Sequence, residues 1–253
     1  MFRERRAAVL FAMLAFAVAI AAAWLAPAAL LDTRIAGATG GTVRLAETAG
    51  TVWNGRGSLV AMATRVPIAW RIDCWPLLRG VLRVRLMSGT GATTPRATIE
   101  ADFDTLAFHD VDVTLPVQVF GATLAPYGVE SVAGEIRLVA DAIEWTPGAG
   151  RGEARVLWHA ARVAFAGSAT PLDLGDVRTL LTANGNALSG PVTNEGGDLA
   201  LRGEWAMRAY DGVQLALHVT PRHSGPSDLA RMLSAIGTAD GNGWRIDWRG
   251  PLR

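Results

Sequence analysis

The sequence predicts a mainly β protein: an N-terminal transmembrane helix followed by a large, curved antiparallel β-sheet domain with one or two short helices. Three observations predict it. An uncharged run of 25 residues, Ala7 to Leu31, stands near the start of the 253-residue chain. From about residue 40 onward, apolar and polar residues alternate in segment after segment. Between those segments stand clusters of Gly, Asn and Asp that read as turns.

The N-terminal run comes first. Roughly 20 apolar residues span a bilayer as a helix. Arg3, Arg5 and Arg6 precede the run, and basic residues hold their end of a span in the cytoplasm. Residues 1–6 are therefore expected to be a cytoplasmic basic N-terminus, 7–31 a signal anchor, and 33–253 a domain outside the cytoplasmic membrane. A cleaved signal peptide is the alternative, because Ala26-Pro27-Ala28 and the alanines at 21–23 look like a small-x-small site. The length of the run, and Trp24 placed as an interfacial anchor, favour the uncleaved span. A buried core helix is a third reading.

The strands follow in order. "LRVRLM" sets Leu82, Val84 and Leu86 against Arg83 and Arg85; "TIEADFD" sets Ile99, Ala101 and Phe103 against Glu100, Asp102 and Asp104. "DVDVTL" sets Val111, Val113 and Leu115 against Asp110, Asp112 and Thr114, and "GEIRLVAD" places Ile136, Leu138 and Ala140 on one face. Such alternation marks strands with one buried and one solvated face. The longest unit is Asp198 to Pro221. Leu199, Leu201, Trp205 and Met207 run out, Asp211-Gly212 turns, and Val213, Leu215, Leu217 and Val219 return. Turns are expected at Asn54-Gly55, from Asp141, and at 146–152, 183–186, 194–197 and 240–243. Helices are expected at 175–183, as one or two turns, and at 224–237. The second has Pro226 at its entry, Leu229, Met232, Leu233 and Ile236 as an apolar stripe, and Gly237 at its exit. One continuous sheet is the reading adopted; two lobes, 33–147 and 152–253, divided at "TPGAGRG", are the alternative. "WRID" occurs at 70–73 and again at 244–247, a hint of duplication too short to establish a repeat.

Composition narrows the function. The net charge is +1, and a nearly neutral body argues against a nucleic-acid partner. All 24 basic residues are arginine, which excludes the P-loop lysine and Schiff-base chemistry. The single cysteine, Cys74, forms no internal disulfide. His109, His159, His218 and His223 have no metal-motif spacing and read as surface histidines. "GAGRG" at 148–152 lacks the strand before and helix after that a phosphate loop needs. Glu100, Asp102 and Asp104 read as a solvated strand face. No Gly-x-Ser-x-Gly elbow occurs. No catalytic residue, cofactor or metal ligand is therefore expected, and the protein is read as no enzyme. Trp53, Trp70, Trp75, Trp145, Trp158, Trp205, Trp244 and Trp248 lie in the exported part and are expected mostly as core fillers, with some at an interface. Trp244, Ile246 and Trp248 share one face of a C-terminal strand that is expected at an edge able to pair with a partner.

Three blocks carry a resemblance: Gly50-Thr51-Val52-Trp53-Asn54-Gly55; Trp70 through Trp75, Pro76, Leu77, Leu78 and Gly80; and Gly243, Trp244, Ile246, Trp248 and Gly250 in the ending "GWRIDWRGPLR". With the anchor, the long hairpin and the late helix, this order resembles the type II secretion system protein N family, also called general secretion pathway protein N. The resemblance implies a single-pass inner-membrane protein with a periplasmic β domain. It implies an accessory role near the inner-membrane platform and the proteins linked to the secretin, and it implies no active site. On this reading Asn54-Gly55 makes the turn and Trp53 packs the strand entering it. The other reading is an AsmA-like envelope protein that holds lipid along an apolar β groove.

Overall fold

The computed structural model describes residues 24–61, 64–87, 96–120, 128–166, 170–208, 212–222, 229–230, 233–234 and 237–250. Arg3, Arg5, Arg6, most of the expected span (7–23), His223 and Pro226 lie outside the described residues. No described helix is long and apolar enough to cross a membrane. Residues 24–31 are not one helix: Pro27 forms an isolated antiparallel bridge with Thr51, and a helix, α1 (Leu30–Ala38), begins after it.

Fourteen strands form one sheet. In chain order they are β1 (Val43–Gly50), β2 (Asn54–Ala61), β3 (Thr64–Asp73), β4 (Leu82–Met87), β5 (Arg96–Ala101), β6 (Leu106–Pro116) and β7 (Val129–Trp145). They continue as β8 (Gly150–Phe165), β9 (Leu172–Gly185), β10 (Ala187–Glu195), β11 (Leu199–Arg208), β12 (Gly212–Pro221), β13 (Thr238–Asp240) and β14 (Gly243–Gly250). Each strand from β1 to β11 pairs antiparallel with the next; β14 then pairs with β12 and carries β13 on its far side. This is a meander, the arrangement that short turns between alternating strands permit. The sheet runs unbroken through 146–152, where only Thr146–Ala149 turn.

The ladder sorts side chains as the alternation predicts. Trp70 faces Leu86, Leu86 faces Ala97, and Val111 faces Ala140; Leu138 meets Val156, Leu201 meets Val219, and Val219 meets Trp244. The buried core therefore lies as four patches along one face. Two are closed by helical segments. Leu31 and Ile35 of α1 pack with Leu45 and Trp70, and Leu229 and Leu233 pack with Leu199 and Val219. The N–H of Gly237 donates to the Leu233 carbonyl, so this later helical segment exits at the expected glycine.

Several expectations are corrected. Residues 175–183 are strand, not helix: Val177 pairs with Trp158 on one side and Asn194 on the other, so both edges of the backbone are satisfied by neighbours. Asp141 starts no turn; β7 runs through it, with a register shift between Val139 and Ile143. Asn54-Gly55 begins β2 rather than turning. Gly212, expected in a turn, is the first residue of β12 and pairs with Arg208; Asp211 lies outside the described residues. Phe103 is off the strand face, in the β5–β6 turn. Cys74–Leu77 form a short helix, α2, between β3 and β4, and Leu30 and Leu31, the last two residues of the expected span, open α1 instead.

Candidate functional site

The corner built by Gly50 to Gly55 is a junction of three segments. The chain reverses over Thr51–Trp53, and the turn is closed locally. The Thr51 N–H donates to the Asn54 carbonyl at 2.9 Å, and the Asn54 N–H donates to Thr51 Oγ1 at 3.2 Å. Gly50 supplies a φ of 93°, which only glycine adopts without strain. The segment leaving the N-terminal run is then bound to this turn. The Ala28 N–H donates to the Gly50 carbonyl at 3.1 Å, and the Val52 N–H donates to the Ala26 carbonyl at 2.9 Å. The indoles of Trp24 and Trp53 stack with centroids 6.2 Å apart. Strand β3 completes the junction: the Ile72 N–H donates to the Trp53 carbonyl at 2.7 Å, and Trp70 Nε1–H donates to the Val52 carbonyl at 2.9 Å.

The core anchor of the corner is thus Trp70, 3% exposed, and not Trp53, which is half-buried beside Trp24. Gly55 is required by Trp70: a Cβ there would stand 2.8 Å from indole Cε2 and 2.9 Å from the Thr51 carbonyl. The second block continues along the same end of the sheet. Trp75 and Leu78 of the β3–β4 connection are 76% and 77% exposed, so Trp75 is no core filler. Pro76 and Leu77 lend their carbonyls to Arg79, Gly80 and Val81, and Gly80 closes the turn with φ 78° against the Phe103 ring.

The third block, Gly243 to Gly250, is β14. Trp244, Ile246 and Trp248 share the apolar side, opposite Val219, Leu217 and Leu215. Trp244 Nε1–H donates to Ser234 Oγ at 3.2 Å, which ties the strand to the helical segment over it. Gly243 lies under the Val219 carbonyl, and Gly250 under the Trp248 ring. The sequence reading missed Asn194, which it took for a turn residue. Its Nδ2 donates to the carbonyls of Leu174 and Leu199 at 2.6 and 2.8 Å, while its Oδ1 accepts the Leu201 N–H at 2.7 Å and an Arg222 N–H at 3.2 Å. The only trace of this in the sequence is an Asn at an apolar-facing strand position.

The other face of the sheet is laced with cross-strand ion pairs. They include Arg83–Glu100 at 2.7 Å, Arg85–Asp73 at 2.7 Å, Arg137–Asp112 at 2.9 Å and Arg178–Glu195 at 2.8 Å, together with Arg151–Glu144. The Arg137 guanidinium holds the Asp112 carboxyl below the usual carboxylate range. The Ala160 N–H, with the His159 imidazole beside it, does the same to Asp176. Asp102 is lowered by the N–H groups of Asp104 and Thr105, which it holds in the β5–β6 turn. Depressions open on this polar face among the described residues. One of about 960 Å³ crosses β9 to β14 and is lined by Ser189, Pro191, Glu204, Gln214, Arg245 and Arg249 among others. One of about 390 Å³ is lined by Arg71, Arg85 and Arg96, and one of about 430 Å³ by Arg155, Leu157, Arg178 and Leu180. Among the described residues no group of three His, Cys, Asp or Glu is placed to hold a metal ion.

The three blocks thus mark one corner, one exposed connection and one terminal strand, all held to the same sheet. A family model described as type II secretion system (T2SS), protein N matches residues 41–246. The chain belongs to the type II secretion system protein N family. The match takes in the Gly50–Gly55 corner, the Trp70–Gly80 block and β14 as far as Ile246, and it begins after α1. Membership gives the chain an accessory role in type II protein secretion. No curated protein and no solved structure matches it.

Proposed function

We propose that this member of the family is a single-pass inner-membrane protein whose periplasmic sheet docks neighbouring components of the secretion machine, the inner-membrane platform and the proteins linked to the secretin, by strand addition. What supports the reading is the contrast between the two sides of the sheet. On the β1 side, α1 lies alongside and Asp32 Oδ1 accepts the Leu45 N–H at 2.9 Å, while Arg44 pairs with the same carboxylate at 2.6 Å. A carboxylate on the backbone of an outer strand blocks the pairing that strand addition requires. On the other side the outermost strand is β13, three residues long and exposed throughout. An exposed sheet side offers main-chain hydrogen bonds to an extended partner segment. The anchoring part rests on Arg3, Arg5 and Arg6 before the uncharged run. Since Ala26 already binds Val52, the span itself is assigned to 7–25; a helix of that length is about 28 Å long, near the thickness of a bilayer core.

In-cell crosslinking tests the proposal. A photoreactive residue at Ala239, on β13, is expected to capture an inner-membrane platform or secretin-linked component, and the same probe at Arg44 is not. Capture from Arg44 alone, or of lipid alone at Ala239, would overturn the docking assignment.

A further inference from the structure

We infer that one end of the sheet, made by the β1–β2 turn, the β3–β4 connection and the β5–β6 turn, rests in the headgroup region of the bilayer that holds the N-terminal run. The inference rests on the anchoring reading above and adds a membrane-contact surface to it.

The geometry begins at the exit of the run. Trp24 and Leu25, the last residues of the span assigned above, are 59% and 72% exposed. The next residue, Ala26, accepts the Val52 N–H, and Trp24 stacks on Trp53. No free linker separates the run from the sheet, so wherever the run leaves the bilayer the β1–β2 turn lies at that surface. The other two connections adjoin it. The Ile72 N–H bonds the Trp53 carbonyl, which sets the β3 end against the turn, and the Phe103 ring lies against Gly80. From β1 to β6 the three connections cover about 24 Å of sheet, at roughly 4.8 Å per strand.

The side chains on this end are those an interface takes. Eight of the ten large apolar side chains exposed among the described residues lie on it or at the start of α1. Phe103 is 93% exposed, in a turn that Asp102 holds in place. The remaining two, Met87 and Leu180, are elsewhere on the sheet. Exposed apolar side chains gathered in one place mark an interaction surface, and tryptophan favours the bilayer–water boundary, where its ring is buried and its N–H stays wet. The charges here are mixed, Arg79 against Asp104, so the attraction is apolar insertion rather than headgroup charge. Added salt should leave it nearly unchanged.

The test uses the full chain in vesicles of phosphatidylethanolamine and phosphatidylglycerol. In a Cys74→Ser background, nitroxide labels are placed one at a time at Leu78→Cys, Phe103→Cys and, as a control on the opposite end of the sheet, Asn242→Cys. Flotation reads the anchor and label accessibility reads the surface. Labels at 78 and 103 are expected to collide more with oxygen and less with a water-soluble nickel chelate than the label at 242, in low and high salt alike. If the protein floats with the vesicles but all three labels are equally open to the chelate, the membrane contact is wrong while the anchor stands. Dipolar broadening between labels at 103 on separate molecules would show a second copy covering this end and would also overturn it. Failure to float would overturn both readings.

Discussion

The same tetrapeptide, Trp-Arg-Ile-Asp, stands near each end of the sheet and has two fates. In β3 it lies two strands in from the β1 side, and in β14 it lies next to the last strand on the other side. At both places the Trp and Ile face the apolar side and meet a helical segment: α1 over Trp70 and Ile72, and the Leu229–Leu233 segment over Trp244 and Ile246. Yet Trp70 is 3% exposed and bonds a backbone carbonyl, whereas Trp244 is half-buried and bonds a serine hydroxyl. Trp70 has glycine at its side: Gly55 opens the space its ring fills. The C-terminal end relies instead on polar fastening, with Asn194 and Arg222 holding the ends of β9 to β12 together. The difference teaches that burial is set by the neighbouring strand, not by the motif itself.

The largest expected effect tests this contrast directly. Trp70→Ala should lower stability by about 3–5 kcal/mol, the cost of deleting a buried large side chain. Trp244→Ala should cost roughly 1–2 kcal/mol, because its apolar area is only partly withdrawn from water. Denaturant unfolding of the detergent-solubilised chain reads both, and equal losses would break the comparison. Next comes Asn194→Ala, expected to cost about 1–3 kcal/mol by stranding part-buried backbone groups. Hydrogen exchange should quicken at Leu201, whose N–H donates to the Asn194 side chain, and not at Ile72. Gly55→Ala should cost a similar ~1–3 kcal/mol by overpacking the Trp70 ring. In a double variant with Trp70→Ala the part of that cost due to the ring should vanish, while the part due to the Thr51 carbonyl, 2.9 Å from the added Cβ, should remain.

Acid separates the two ends less. Asp32, lowered chiefly by its hydrogen bond from Arg44, belongs to the N-terminal end, and Asp176, lowered chiefly by the Ala160 N–H, to the sheet's second half. Each has a folded-state pKa below its unfolded value, so the unfolded chain binds protons more readily. Their contribution is complete above the usual carboxylate range and is lost as pH falls through the lowered values. Unfolding midpoints should hold near neutrality and drop below about pH 4, and Asp176→Asn should flatten part of that drop. The smallest effect is a gain. Gly37 lies inside α1, and a methyl group added at its Cα would meet nothing within 4 Å. Gly37→Ala should therefore raise stability by roughly 0.5–1 kcal/mol.

The strands were legible because their signal is local: alternation in β4, β6, β11 and β12 needs only a solvated face and a packed one. Turn glycines were legible where φ is positive, as at Gly196, Gly197 and Gly241. Asn54-Gly55 was misread because the pair usually turns, and here Thr51 closes the turn one step earlier with its own hydroxyl. The 175–183 segment was misread because a short stretch with apolar residues at mixed spacing suits either period, and pairing on both sides decided it. Asn194 and the exposed Trp75 were not legible, because what a side chain meets, or fails to meet, on neighbouring strands is not set by its own segment.

The sequence by itself determined that this protein is a mainly antiparallel β domain of alternating strands behind an apolar N-terminal run, and its short Trp- and Gly-bearing blocks pointed to its family. Those properties follow from periods and patterns within a few residues. Only the tertiary structure decided which tryptophan is the anchor, which side of the sheet a carboxylate closes, and that the exposed aromatics gather at the end where the N-terminal run arrives. Those depend on register across the sheet, where the fourteen strands bring together residues far apart in the chain.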